Sequence, residues 1–377
     1  MEPRFDLNRR RLLEAAESSG VDTLILVGEA NLIYALGVGG PSGALVLSSK
    51  CGSTLLVPLL DYERAMRGAP RDVEVKAFYR GGESGIEPDI PKTDLIRADS
   101  LSAALASVAD SCGVLGADLR WARWEAARSL AERFEGLRDL SDSIARVRMV
   151  KDDWEIAMIE EAVEIIEGAF RVALDSLSPG VSESEVAGAV MEHVLSRGAW
   201  GTSFPVIVAF GPNTSLPHHH TGQARLGHKS PVLFDMGAVV RGYMSDVTRS
   251  AWFGGGGGEY RRLLEDVAEA QMEAIDAVAP GVEAWEVDKA ARLTLERKGL
   301  SRYFIHGTGH GVGVEIHEPP FLRPGSKDVL EPGAVVTIEP GVYLPGIHGA
   351  RIEDMVLVTK RGRKTLTNLA RILEART

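Results

Sequence analysis

Two aspartates stand in apolar company within PVLFDMGAVVRGYMSDVTRS, Pro231–Ser250. Val232, Leu233 and Phe234 run directly into Asp235, and Ala238, Val239 and Val240 follow it. Asp246 comes eleven residues after Asp235. The pattern predicts two strands joined by a turn, with the aspartates on facing strands. Carboxylates in such surroundings cost free energy unless a positive charge compensates them. Whatever this chain folds into must therefore bring compensation to both. Arg241 and Arg249 are candidates within the segment itself.

The rest of the chain narrows where that chemistry can sit. All 9 histidines lie between His193 and His348, so imidazole chemistry belongs to the second half of the 377 residues. A net charge of −11, with no Lys/Arg-rich stripe, argues against a nucleic-acid partner. The N-terminus has no apolar signal-peptide core, and no apolar run reaches the length of a membrane span. A cytoplasmic protein is expected. Cys51 and Cys112 are the 2 cysteines. They are too few for a zinc motif and are expected as buried thiols in a reducing compartment.

Length and patterning predict two domains. Residues 1–145 alternate helix and strand, with strands at VDTLILVG, GALVLSS and GSTLLVP and helices at 61–67, 100–109 and 121–134. A loop rich in Gly, Pro and Asp, RGGESGIEPDIPKTD, interrupts them. Residues 146–377 begin with a long amphipathic helix over about 153–177, opened by a capping box of Asp152 and Glu155. Further helices are predicted at 183–197, 259–278 and 284–299, and strands over 334–339, 341–344, 353–359 and 364–368.

Five residues of the second half place a ligand-type side chain beside glycine or inside an apolar strand: Asp235, Asp246, His310, Glu339 and Glu353. Each has an ordinary reading as an ion pair, a turn residue or an exposed strand position. Together, four carboxylates and one imidazole suit divalent manganese, cobalt, iron or zinc. Four negative charges in one cavity call for two such ions, which can hold a bridging hydroxide as nucleophile. Gly237, Gly311, Gly313, Gly341 and Gly349 lie close to these positions, where glycine lets backbone approach closely or take positive φ.

FDMGAVVRGYMSDVTR, HGTGHGVGVEIHEPP, TIEPGVY and GARIEDMVLVT resemble the successive signatures of the pita-bread metallopeptidases, closest to the proline-specific branch of Xaa-Pro dipeptidase (prolidase) and aminopeptidase P. The order Asp-Asp-His-Glu-Glu, with gaps of 11, 64, 29 and 14 residues, is similar to that family's. The resemblance spans essentially the whole chain. It implies an α/β N-terminal domain of the creatinase/prolidase kind and an α+β catalytic domain with a curved, mainly antiparallel sheet.

By this resemblance Asp235 binds one ion, His310 and Glu339 bind the other, and Asp246 and Glu353 bridge both. Glu339 acts as general base. His218 and His317 contact the substrate carbonyl or relay a proton. Arg351 and Tyr343 join a network with Asp235; Arg351 lies two residues before Glu353, which strand alternation places on the same face. His306 reads as a supporting or structural residue, and His219 and His220 as exposed loop imidazoles. The implied substrate is a small peptide with proline second, cleaved by a homodimer using manganese or cobalt. Dipeptidase is favoured by compact length, with aminopeptidase P as the alternative. Phe210 stands where the family commonly has serine, and Phe321 where prolidases often have arginine, with Arg323 two residues on. Methionine aminopeptidase usually lacks such an N-terminal domain. Creatinase-like and non-catalytic relatives are disfavoured by retention of all five ligand types.

Overall fold

Apolar runs too short for helices become the sheet of the first unit. The computed structural model describes residues 3–39, 42–80, 89–120, 122 and 124–375. The chain divides into Met1–Arg148 and Met149–Thr377. In the first, seven strands run in the order Leu95–Arg97, Glu74–Tyr79, Gly52–Pro58, Ala44–Ser48, Thr23–Val27, Leu115–Ala117, Arg138–Asp139. The three central strands, Gly52–Pro58, Ala44–Ser48 and Thr23–Val27, pair antiparallel, and the flanking ones join in parallel. Central strands buried at every position, such as Thr23–Val27, are covered on both faces. Most of the predicted loop after Arg80 lies outside the described residues, which resume at Asp89.

One expectation is corrected here. Cys51 and Cys112 are not free thiols but a disulfide, with Cα atoms 5.8 Å apart. Cys51 sits exposed in the turn between two antiparallel strands, and Cys112 lies just past the helix Leu101–Ala109. The bond closes a loop of 61 residues, a contact that spacing alone does not reveal.

The second unit is built from two helix pairs, each with its own strands. The long helix Asp153–Asp175 and the helix Glu183–Ser196 share one apolar core with Ile207–Phe210, Ser230–Met236 and Val247–Phe253. Helices Gly258–Ala277 and Ala284–Arg297 share a second core with Val335–Ile338 and Asp354–Thr359. Pairing within these sheets is antiparallel, except where Leu373–Ala375 joins Val247–Phe253 in parallel. The strand 353–359 begins only at Asp354, and His348–Arg351, missed in the sequence, forms a hairpin with Gly341–Leu344.

The capping box forms as read: Asp152 accepts from the backbone of Trp154 and Glu155, and Glu155 accepts from Asp152 N–H at 2.8 Å. Glu155 is also buried and accepts from the Tyr243 hydroxyl at 3.0 Å. Burial pushes its carboxyl up to about 7, against the Asp152 N–H, which favours the charged form. The folded protein thus holds this proton more tightly than the unfolded chain. Its stabilisation is complete below the ordinary value of 4.5 and is lost as pH rises through about 7. Glu155→Gln keeps a capping side chain without the charge. Relative to the parent, its stability in thermal scans is expected to rise by about 2–3 kcal/mol between pH 5 and pH 8.

Candidate active site

The aspartate hairpin is two hairpins in one. Ser230–Met236 pairs with Val247–Phe253, setting Asp235 opposite Thr248. Between them Ala238–Val240 and Tyr243–Met244 turn at Arg241 and Gly242, both at positive φ (48° and 88°), and join Gly201–Thr202 in a different sheet. The switch between sheets happens at Gly237, where an added Cβ would lie 1.8 Å from the Ser245 carbonyl oxygen. Close approach is the reason for glycine here. None of Gly237, Gly311, Gly313, Gly341 and Gly349 takes positive φ.

Neither arginine of the hairpin compensates the aspartates. Arg241 is exposed at the turn. Arg249 is fully buried, paired with Asp354 at 2.6 Å and donating to the carbonyls of Ala370 and Glu353. Asp235 instead pairs with Arg351 at 2.5 Å.

Around the aspartates the other three candidates assemble. His310 Nε2 lies 3.6 Å from Asp246 and 3.3 Å from Glu339, while its Nδ1 donates to the Gly311 carbonyl at 3.1 Å. With Nδ1 so engaged, Nε2 is the ring nitrogen that faces the carboxylates. Ligand atoms of Asp246, His310 and Glu353 lie within 4.8 Å of one another, all three residues buried. Each of the five sits at a strand end or one residue from it: Asp235 one before the end of Ser230–Met236, Asp246 just before Val247, His310 inside Gly309–Gly311, Glu339 just after Ile338, Glu353 just before Asp354.

Arg351 and Glu353 do not share a strand face as expected. Arg351 ends the strand His348–Arg351, and Glu353 lies in the gap before the next. They meet through Thr248, which sequence reasoning missed: its hydroxyl accepts from Arg351 Nε at 3.0 Å and donates to Glu353 at 2.7 Å. Tyr343 is more than packing. Its hydroxyl accepts from Arg351 at 2.7 Å and bonds His306 Nε2 at 3.0 Å. The chain His306–Tyr343–Arg351–Asp235 thus reaches the cluster from behind.

The electrostatics are those of a cluster short of positive charge. Burial, then repulsion from Glu353, Asp235 and Glu339, drives the Asp246 carboxyl well above its ordinary value. Burial followed by Glu339 and Asp235 does the same to Glu353. Burial raises Asp235 too, despite Arg351. Glu339 runs the other way: burial would raise it, but the hydrogen bond and charge of His310, then His306 and Arg351, bring it down to about 2. Asp235 Oδ1 is buried without a hydrogen-bond partner among the described residues. An orphaned carboxylate oxygen, crowded carboxyls and one imidazole form a donor set that fits divalent cations.

These residues line a cavity of about 420 Å³, a size suited to a small ligand. His218 and His317 line it as well. His317 stands edge-on to His310, ring centroids 4.3 Å apart, and burial followed by His310 lowers its pKa. Phe204, Ile207, Ile316 and Phe321 form an apolar wall. His219 is not an exposed loop imidazole: its side chain is 9% exposed and bonds Glu183 at 2.8 Å. Glu183 also accepts from Phe210 N, Asn213 Nδ2 and Gly222 N, tying down the loop that carries His218. The Ser182–Glu185 cap marks Glu183 as a first-turn residue, but no spacing connects it to His219. A larger cavity, about 700 Å³, lies in the first unit among Ser42, Ser100, Ser102 and Ser129. It gathers no histidine, so size does not locate the chemistry.

The crowded carboxylates and the imidazole form a donor set for divalent cations, and with the family match below they define the class: a metal-dependent hydrolase. The chain belongs to metallopeptidase family M24, which matches residues 157–360, with a creatinase/prolidase N-terminal domain over 9–150. It is 32% identical over 364 residues to the Xaa-Pro dipeptidase of Pyrococcus horikoshii, covering 97% of each chain. Among solved structures it resembles an Xaa-Pro dipeptidase from Bacillus anthracis (TM-score 0.86, 30% identity, 98% of this chain and 100% of that one). It resembles an X-Pro aminopeptidase from Thermotoga maritima equally in fold (TM-score 0.86, 26% identity, 98% and 99% covered). The fold is the two-domain pita-bread arrangement.

The crowding gives a test in which one substitution acts in two directions. Asp246→Asn removes a repelled charge and is expected to stabilise the metal-free protein by about 1 kcal/mol at neutral pH. The same change should abolish most of the rise in melting temperature that manganese or cobalt gives the parent protein. Thermal scans with and without metal read both effects.

Proposed function

We propose that the protein is an Xaa-Pro dipeptidase working with two divalent ions, manganese or cobalt first, with zinc or iron as alternatives. The observation that carries this reading is the convergence of Asp235, Asp246, His310, Glu339 and Glu353 on one cavity with His218 and His317. Asp235, Asp246, His310, Glu339 and Glu353 are the residues that would hold the ions. When bound, the ions supply polarisation of the scissile carbonyl and acidification of water.

The chain's own groups do the rest. Glu339, ionised at neutral pH, accepts a proton from the attacking water and passes it to the departing proline nitrogen. That nitrogen belongs to a tertiary amide and has no N–H of its own. His317, lowered in pKa and so neutral, donates to the carbonyl oxygen as charge develops there. His218, at the cavity surface, serves the same oxygen or relays the proton. Arg351 fixes Asp235, and Tyr343 and His306 fix Arg351. The apolar wall receives the proline ring.

Aminopeptidase P activity is the second reading, favoured by the equal fold likeness to an X-Pro aminopeptidase. The same proposal includes a cytoplasmic homodimer with the domain division near residue 145. Size-exclusion chromatography and cell fractionation check its first two parts.

Chelated protein is expected to be inactive, and manganese or cobalt to restore cleavage of Ala-Pro. Ala-Pro should be cleaved at least about tenfold faster in kcat/KM than Ala-Pro-Ala. A metal-loaded protein that cleaves neither peptide would sink the proposal. Tyr343→Phe removes one link behind Arg351 and should lower kcat by roughly 10-fold without lowering metal content to match.

A further inference from the structure

Residues 304–308 join the short turn Ser301–Tyr303 to the strand Gly309–Gly311 and belong to no ladder themselves. Yet they carry His306 and lead into His310. Glycines stand on either side of Thr308. An added Cβ would lie 2.9 Å from the Leu322 carbonyl oxygen at Gly307, and 1.9 Å from the Thr337 carbonyl oxygen at Gly309. Such a stretch comes close to its neighbours but has few side chains with which to hold its own shape. The helix Ala284–Arg297 supplies them.

Asp288 and Arg292 lie one turn apart on that helix and face each other. Asp288 is buried, and its Oδ1 accepts from both the backbone N–H and the hydroxyl of Thr308, each at 3.0 Å. Arg292 grips the same carboxylate through two nitrogens, at 2.7 and 3.1 Å. The guanidinium also donates to the carbonyls of Phe304, at 3.1 Å, and His306. It lies over the Phe304 ring, 4.3 Å from the centroid, and that ring meets His306 edge-on at 5.2 Å. One ion pair thus holds residues 304, 306 and 308. The imidazole it steadies points onward: His306 Nδ1 donates to the Gly307 carbonyl at 2.7 Å, and Nε2 bonds the Tyr343 hydroxyl behind Arg351 and Asp235. Neither Asp288 nor Arg292 lines the cavity.

We infer that Asp288 and Arg292 are positioning residues for the reaction: they set His306 in the place from which the Tyr343–Arg351–Asp235 chain keeps its geometry. This assignment rests on the peptidase reading above and adds to it a support from outside the cavity. The planar fork of a guanidinium can hold one carboxylate and two carbonyls at once, which a lysine ammonium cannot span. Asparagine at 288 would still accept from Thr308 but would carry no charge to aim Arg292. The pair therefore acts through His306 and not through the helix that bears it.

The test measures cleavage of Ala-Pro and Ala-Pro-Ala per folded, metal-loaded protein in the parent, Arg292→Ala, Arg292→Lys and Asp288→Asn, each alone and combined with Tyr343→Phe. Arg292→Ala is expected to lower kcat by roughly 10-fold with KM within about twofold. Arg292→Lys should recover part of that loss, and Asp288→Asn should fall between the parent and Arg292→Ala. In the Tyr343→Phe background the same changes should cost no more than about twofold, because the link they act through is already cut. Should Arg292→Ala not fold, Arg292→Lys and Asp288→Asn complete the same cycle. A lowered melting temperature with kcat unchanged in the folded protein would overturn the assignment, as would losses that multiply in full with that of Tyr343→Phe. Either result leaves the peptidase reading intact. A parent protein that cleaves neither peptide would overturn that reading, and this assignment with it.

Discussion

Everything in the second unit is arranged around negative charges that repel one another. Asp235, Asp246, Glu339 and Glu353 share one cavity, and among the described residues only Asp235 has a guanidinium partner in contact. Repulsion of this kind is tolerable in a folded protein only if packing elsewhere holds the groups in place. Two apolar cores, each with its own helix pair, provide that packing. Arg351 and Thr248 then couple the carboxylates to the backbone: one guanidinium reaches Asp235, and one hydroxyl passes the constraint to Glu353. The cluster is preorganised by neutral and cationic neighbours while the demand for positive charge at its centre is left open.

What sequence could reveal followed from cost. A carboxylate or imidazole set in an apolar run stands out because burial is expensive, and that cost marked Asp235, Asp246, His310, Glu339 and Glu353. The long helix and its capping box were legible because both are local in sequence. The failures were all matters of long-range geometry. Arg249 lies three residues from Asp246, yet turns away to Asp354. The alternation argument for Arg351 and Glu353 failed because the chain leaves one strand and begins another between them. Thr248 and Glu183 carry no signal beyond their residue type; they matter through partners 27 to 105 residues away. The disulfide is of the same kind, linking positions that only the sheet of the first unit brings together.

His219, read as an exposed loop imidazole, shows how local polarity misleads, whereas His306, read as a supporting residue, is one. His219 sits among histidines in a loop with proline and serine, a composition that suggests solvent. Its imidazole is instead held by a carboxylate from a helix that begins 36 residues earlier. His306 stands four residues before His310, but glycines between them break any helical relation, and it acts through Tyr343. In both cases a buried acceptor or hydroxyl decides the role, and neither is recorded in the neighbouring sequence.

The site residues cluster where strands stop. Asp235, Asp246, His310, Glu339 and Glu353 each lie within one residue of the end of a strand, so their side chains add little to the ladders that hold the sheets together. Chemistry and architecture are therefore separable in this scaffold. Drift at the five positions could erase the reaction and leave a folded protein with an intact cleft, free to be put to another use. The same separation makes folding a weak witness to activity: a descendant could keep every strand in register and have nothing left to catalyse.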